Sequence, residues 1–248
     1  IMKKYYLLIC LFSYGFSFSQ TGTYNQKDDV MTIELSTIKD VLTGYPTIIE
    51  AEAIEYYNKG TEIIYTDANL AIDYFSKAIK IDPNFVQAYD NIGKAYRMIE
   101  EYDLAMKYYK YSIALFPNGD AAHINLALVY NKLKRHQDAI SEHKKVIQIL
   151  PEYAEGYYGL ANTYLYYTDE LELALTNAKK ALVLYKKNPP NYIGDSYCQM
   201  GLIYYYLENY AEAKRYIQIA KEKYIENNLE QAFRSNVHSS ILKKLSIE

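Results

Sequence analysis

The sequence predicts an all-α fold assembled from stacked helical hairpins, and three observations carry that prediction. Four columns of residues recur at a step of 34: Pro83, Pro117 and Pro151; Gly93, Ala127 and Ala161; Tyr96, Tyr130 and Tyr164; Ala71, Ala105 and Ala139. A fixed period of this length marks an array in which each unit is one supersecondary element. Glycine and proline number 10 and 6 in 248 residues, 16 together, where average usage gives about 30, so few turns are on offer for a many-stranded sheet. The chain is 50% hydrophobic and 23% charged, a composition that folds.

At the N-terminus, Lys3 and Lys4 precede the apolar run Tyr5 to Phe12, and Ser17-Phe18-Ser19 puts small residues just before Gln20. This reads as a secretory signal peptide over residues 1–19, and hence as an exported protein of the periplasm or cell envelope. The alternative is a membrane anchor, but Tyr5 to Phe18 spans about 14 residues, short of the ~20 that a crossing helix needs. Cys10 follows Ile9 rather than the small residue of a lipoprotein signal. Membrane association is therefore expected only through lipidation or a partner. Residues 20–50 read as a leader, partly disordered or holding one short helix through Val30, Ile33, Ile38, Val41 and Leu42, which Gly44-Tyr45-Pro46 would end.

The repeat units follow over 51–227. From Val86 to Gly119 the first helix carries Tyr89, Ile92-Gly93 and Tyr96, and the second carries Ala105, Tyr109 and Ser112 before Pro117. This pattern resembles the tetratricopeptide (TPR) family, whose 34-residue unit has a large residue, Leu-Gly and Tyr on one helix, then Ala, an aromatic, Ala and Pro on the next. Four more units match with departures. The first, about 53–85, has Ile63 for the tyrosine and a shorter turn; the third, 120–153, has His123 and His143 at the two aromatic positions. The fourth, 154–188, carries one extra residue before Ala174 and is stopped by Pro189-Pro190, because proline cannot continue a helix. The fifth, about 194–227, shows Tyr197, Met200-Gly201, Tyr204, Ala213 and Ala220. The resemblance implies a right-handed superhelical solenoid of about five repeats.

Packing physics points the same way. Small residues such as Gly93 and Ala105 let antiparallel helices approach closely, and the open apolar face of each hairpin must be covered by the next. Leu229, Phe233, Val237, Ile241 and Leu245 recur every four residues, so residues 228–248 read as one capping helix, with Asn228 as N-cap and Gln231 in the capping-box place.

Several functions are excluded or disfavoured. The net charge of −3 argues against a general nucleic-acid binder. The ten glycines form no phosphate-cradling motif, Cys10 and Cys198 make no disulfide framework, and no metal-ligand run occurs. Neither metal nor small-molecule cofactor is expected. His123 and His143, opposite each other by hairpin register, read as two neutral, hydrogen-bonded core histidines. No acid, base or nucleophile constellation points to an enzyme.

There are 31 tyrosines and no tryptophan. Tyr89, Tyr96, Tyr109, Tyr130, Tyr164 and Tyr204 fall on the repeat period and read as core. The family resemblance implies a concave groove lined by the first helix of each unit. Carried over residue by residue, it offers Tyr57, Tyr65, Lys94, Arg97, Asn131, Lys132, Tyr158, Asn162, Tyr166, Tyr205 and Tyr206 as partner-binding positions, with Asp90 and Glu155 where a carboxylate clamp would want neutral or basic residues. Hairpin packing does not require tyrosine there, whereas binding exploits its large contact area and polar tip. The expectation is a non-catalytic scaffold or assembly factor of the bacterial envelope that holds a protein or peptide. The alternatives are the extracytoplasmic part of a truncated signalling receptor and an outer-membrane or pilus assembly lipoprotein.

Overall fold

The computed structural model describes residues 22–25, 30–33, 38–39, 46–47, 50–187, 189–190 and 192–247; the expected signal peptide, 1–19, lies outside them. Ahead of the repeats, β1 (Gly22–Asn25) pairs antiparallel with β2 (Val30–Ile33), and β3 (Ile38–Lys39) pairs with β4 (Pro46–Thr47). This corrects the short helix expected through Val30, Ile33 and Ile38. Thr23, Val30, Thr32 and Ile33 are β-branched and suit a pleated ladder better than a helix. Val41 and Leu42 lie outside the described residues.

The helices fall into two compact units that part between Ile149 and Leu150. The first unit holds α1 (Ala51–Ile63), α2 (Ala68–Ile81), α3 (Val86–Met98), α4 (Tyr102–Leu115), α5 (Asp120–Lys132) and α6 (His136–Ile149). They form three hairpins, one for each of the first three repeats. The second unit holds α7 (Ala154–Thr163), a π-helical turn (Tyr164–Thr168), α8 (Leu171–Lys187), α9 (Ile193–Tyr206), α10 (Tyr210–Glu226), α11 (Glu230–Asn236) and α12 (Ser239–Leu245). The π-turn takes up the extra residue ahead of Ala174. A single insertion widens one turn instead of breaking the helix.

Close approach within each hairpin has a stereochemical cause. A Cβ on Gly60 would stand 2.6 Å from the Phe75 ring, one on Gly93 2.7 Å from Tyr109, and one on Gly201 2.6 Å from Ile217. Where the unit has Ala127 or Ala161 in that place, the equivalent position of the second helix holds His143 or Ala178, both buried. The second helices contribute Ala71, Ala105, Ala139, Ala174 and Ala213, all fully buried, so the seam is filled to interior density.

The turn inside the hairpin is equally regular. Glu100, Lys134, Asp169 and Glu208 all adopt φ near +60°, and three of these turns close alike, through Glu101 N–H to Tyr96 O (2.9 Å), Arg135 N–H to Tyr130 O (2.8 Å) and Asn209 N–H to Tyr204 O (2.9 Å). This is the left-handed helix ending that glycine favours, made here by residues that carry a Cβ and bear its steric cost.

The C-terminal cap differs from expectation. It is two short helices, because Val237 is extended (φ −119°, ψ 111°) and the His238 ring accepts a hydrogen bond from Ser240 N–H, starting a new helix. Asn228 is left-handed (φ 58°) and Leu229 takes the N-cap place. Asparagine tolerates that conformation, which outweighs its capping tendency here. No described helix is long and apolar enough to cross a membrane.

Candidate partner-binding faces

In the first unit the groove positions split into buried joints and surface. Tyr57 is 5% exposed. Its ring lies 4.8 Å from Phe85 and 5.6 Å from Phe75, and its hydroxyl accepts from Asn91 Nδ2 at 2.9 Å. Burial pushes its pKa up, helped by the Asp90 charge. Tyr57 is thus a peg between the first two repeats, not a contact surface. Asn131 is also buried, its Oδ1 3.2 Å from His136 Nδ1. Tyr65 is exposed, and Lys94 Nζ donates to its hydroxyl at 2.6 Å while lying 4.7 Å from the ring centre. Lys132 is exposed and Arg97 half-buried, with its Nε shielded and lacking an acceptor. Nearby, burial pushes Tyr109 up to about 12 against the pull of Arg97. Asp90 is not a full anion in this face: burial raises its carboxyl to about 7, with Ser112 opposing and Asp120 adding to the rise.

The second unit leaves more of its groove tyrosines to solvent. Tyr158, Tyr166, Tyr205 and Tyr206 are all half-exposed. Tyr158 meets Tyr185 edge-on at 6.2 Å. Gln199 Nε2 donates to the Tyr158 carbonyl (3.0 Å) and to Asn162 Oδ1 (2.6 Å), tying α9 to α7. Tyr166 is carried on the π-turn. Tyr205 stands perpendicular to Tyr206 at 5.6 Å and meets Tyr210 at 5.7 Å. The two acidic positions are engaged internally: Glu155 accepts from the Tyr192 hydroxyl at 3.0 Å, and Asp195 accepts from Tyr224 and from Asn236 Nδ2. Cys198 is buried. Among the described residues no cluster of three His, Cys, Asp or Glu could hold a metal ion.

Two patterns escaped the sequence reading. One is an amide on the first helix that reaches the preceding repeat, Asn91 to Tyr57 and Gln199 to Asn162. The other is a three-ring stack. Tyr108 lies 6.4 Å from Tyr89 and 5.4 Å from Tyr96, and Tyr216 lies 6.4 Å from Tyr197 and 5.5 Å from Tyr204. Tyr89, Tyr96 and Tyr204 are therefore half-exposed, not core as expected, while Tyr109, Tyr130 and Tyr164 are buried. The signal was present as a second tyrosine column on the second helices, one residue ahead of the packing column.

The third repeat replaces that stack with charge. His123 Nδ1 lies 2.6 Å from Glu142 Oε2 and its Nε2 3.2 Å from the Pro117 carbonyl, so both ring nitrogens face acceptors. Glu142 also accepts from Lys145 at 2.9 Å. Its carboxyl is held below its usual range by His123 and Lys145, although burial works the other way. His143 is 1% exposed, with no hydrogen-bond partner on either nitrogen, and burial lowers it to about 4. The expectation of a facing, hydrogen-bonded histidine pair is corrected: His123 faces Glu142. Adjacent helical residues point 100° apart, so a register error of one residue moves the contact to another face.

A family model described as tetratricopeptide repeat matches residues 86–118 and 194–222, the second and fifth hairpins. Three solved structures are similar. MamA is 24% identical with TM-score 0.54, covering 71% of this chain and 94% of its own. A thermophilic TPR protein of Thermus thermophilus is 18% identical with TM-score 0.62, covering 74% and 98%. YrrB, described as a TPR protein with an unusual peptide-binding site, is 19% identical with TM-score 0.50, covering 72% and 90%. No curated protein matches the sequence. The matched repeats, the 34-residue columns and the shared hairpin packing together support a protein of the tetratricopeptide-repeat family.

Proposed function

We propose that the chain is a non-catalytic scaffold that holds a protein or peptide segment against the inner faces of its first helices, in the cell envelope of a bacterium. The observation that carries this reading is the exposure of tyrosine where packing does not demand it. Tyr158, Tyr166, Tyr205 and Tyr206 stay half-exposed on α7, the π-turn and α9, although burying them would have been the simpler use of so much aromatic area. In the first unit the offer is smaller and basic, from Tyr65, Lys94, Arg97 and Lys132. The unusual peptide-binding site of YrrB supports the general mode. The envelope assignment rests on Lys3, Lys4, the apolar run and Ser17-Phe18-Ser19.

Affinity capture from envelope extract with the mature chain tests the reading, run beside a Tyr158→Ala, Tyr166→Ala, Tyr206→Ala variant whose fold is verified by circular dichroism. A protein held by the parent and released by the variant is the expected result; equal capture by both removes the inner faces from consideration. N-terminal sequencing of the exported product should begin at Gln20, and retention of Met2 or Lys3 would refute export by a cleaved signal.

A further inference from the structure

We propose that the tyrosine rim at the end of the fifth repeat, formed by Tyr205, Tyr206 and Tyr210 with Asp169 beside it, is a recognition site for lysine and arginine side chains of the bound segment. This deepens the scaffold reading and rests on it.

The molecule already shows the chemistry. Lys244 of α12 lies across two rings of the rim, its Nζ 4.1 Å from the centre of Tyr210 and 5.2 Å from that of Tyr205, and it donates to the Tyr210 hydroxyl at 2.7 Å. An ammonium over two ring faces with a hydroxyl to accept its proton is a cation–π contact of the multi-ring kind used to recognise alkylammonium groups. Elsewhere the described lysines and arginines that rest on tyrosine mostly touch one ring, as Lys107 does on Tyr111 at 5.8 Å and Lys180 on Tyr157 at 5.7 Å. Tyr206 extends the rim: its ring stands perpendicular to Tyr205 at 5.6 Å and is half-exposed.

Electrostatics select the occupant. Asp169, Glu170 and Glu208 are exposed at the turns that end the first helices of the last two repeats. The Asp169 carboxylate is close enough to Tyr206 to raise its pKa, after burial and Tyr205, and Glu208 acts likewise on Lys244. A negative ring face beside a carboxylate favours a cation, discriminates weakly among neutral residues and repels an acidic segment.

Calorimetric titration of the full chain with three short peptides, alike except for lysine, norleucine or glutamate at alternate positions, tests this. The lysine peptide should bind about three- to fivefold more tightly than the norleucine one, with glutamate weakest. Asp169→Asn should erase most of that preference while leaving norleucine-peptide binding nearly unchanged, Tyr206→Leu should erase most of the preference and weaken all three peptides, and Lys244→Met should strengthen lysine-peptide binding by freeing the Tyr205 and Tyr210 rings. Equal binding of the three peptides, or a lysine preference that survives both variants, overturns the cation site and leaves peptide binding standing. If none of the three binds while a captured partner still depends on Tyr158 and Tyr166, the cation site falls alone; loss of that dependence as well takes the scaffold reading with it.

Discussion

The second and third repeats solve one packing problem with opposite chemistry. Both place two side chains of the first helix against one of the second. In the second repeat these are Tyr89, Tyr96 and Tyr108, an aromatic stack. In the third they are His123, Tyr130 and Glu142, with a buried hydrogen bond between His123 and Glu142 at 2.6 Å and Arg135 over Tyr130 at 4.5 Å. The backbone cradle is indifferent to which chemistry fills it. What changes is the sensitivity of the hairpin to the loss of one member, because a stack degrades gradually whereas a broken buried hydrogen bond leaves a polar group unsatisfied.

The largest expected effect exploits that difference. Glu142→Ala should cost about 2–3 kcal/mol in urea denaturation by leaving the buried His123 Nδ1 without its partner, whereas Tyr108→Ala in the second repeat should cost roughly 1–2 kcal/mol. Equal losses would show that the pair acts as mere filler. Rebuilding the stack with His123→Tyr and Glu142→Tyr together should recover much of what each single change loses.

The pH dependence is next in size. The unfolded chain protonates His143 near 6.5, but burial lowers the folded value to about 4, so this residue withdraws stability as pH falls from about 6.5 to 4. Asp90 works in reverse: the unfolded chain releases its proton near 3.8 and the folded one near 7, so it withdraws stability as pH rises from about 4 to 7. The two slopes oppose and flatten the parent's profile. Relative to the parent, His143→Phe should gain stability on acidification across this window and Asp90→Asn should lose it, each on the order of 2–3 kcal/mol. Parallel profiles for all three proteins would contradict both assignments.

Steric tolerance can be compared at matched sites. Ala105→Leu and Ala139→Leu, both at fully buried positions, should each cost about 1–3 kcal/mol through overpacking. A gap between them measures how far each hairpin yields. The smallest effect concerns the turns: Lys134→Gly relieves a left-handed residue and should stabilise by about 0.5–1 kcal/mol, and Glu100→Gly should do the same. Thermal melts resolve both.

Much of the architecture was legible because the columns Gly93/Ala127/Ala161 and Ala71/Ala105/Ala139 are fixed by how closely two helices can approach, which is a local rule. The binding faces were legible only in part. Tyr57 occupies a groove position by count, yet Phe75 and Phe85 close around it, and no count of positions along one helix contains the next repeat's packing. His123 was assigned to His143 because register arithmetic resolves a level in the hairpin but not which of two adjacent residues faces inward. The break at Val237 and His238 was hidden by an apolar spacing that two short helices in succession satisfy as well as one long helix.

The π-turn at Tyr164–Thr168 bears on how such a chain can change its length. A residue gained near the end of a first helix is stored as one widened turn, so the following hairpins keep their pairing and only the side chains carried on that turn are re-aimed. Length variation there edits the surface and spares the core. An array built this way can revise what it recognises without renegotiating how it folds.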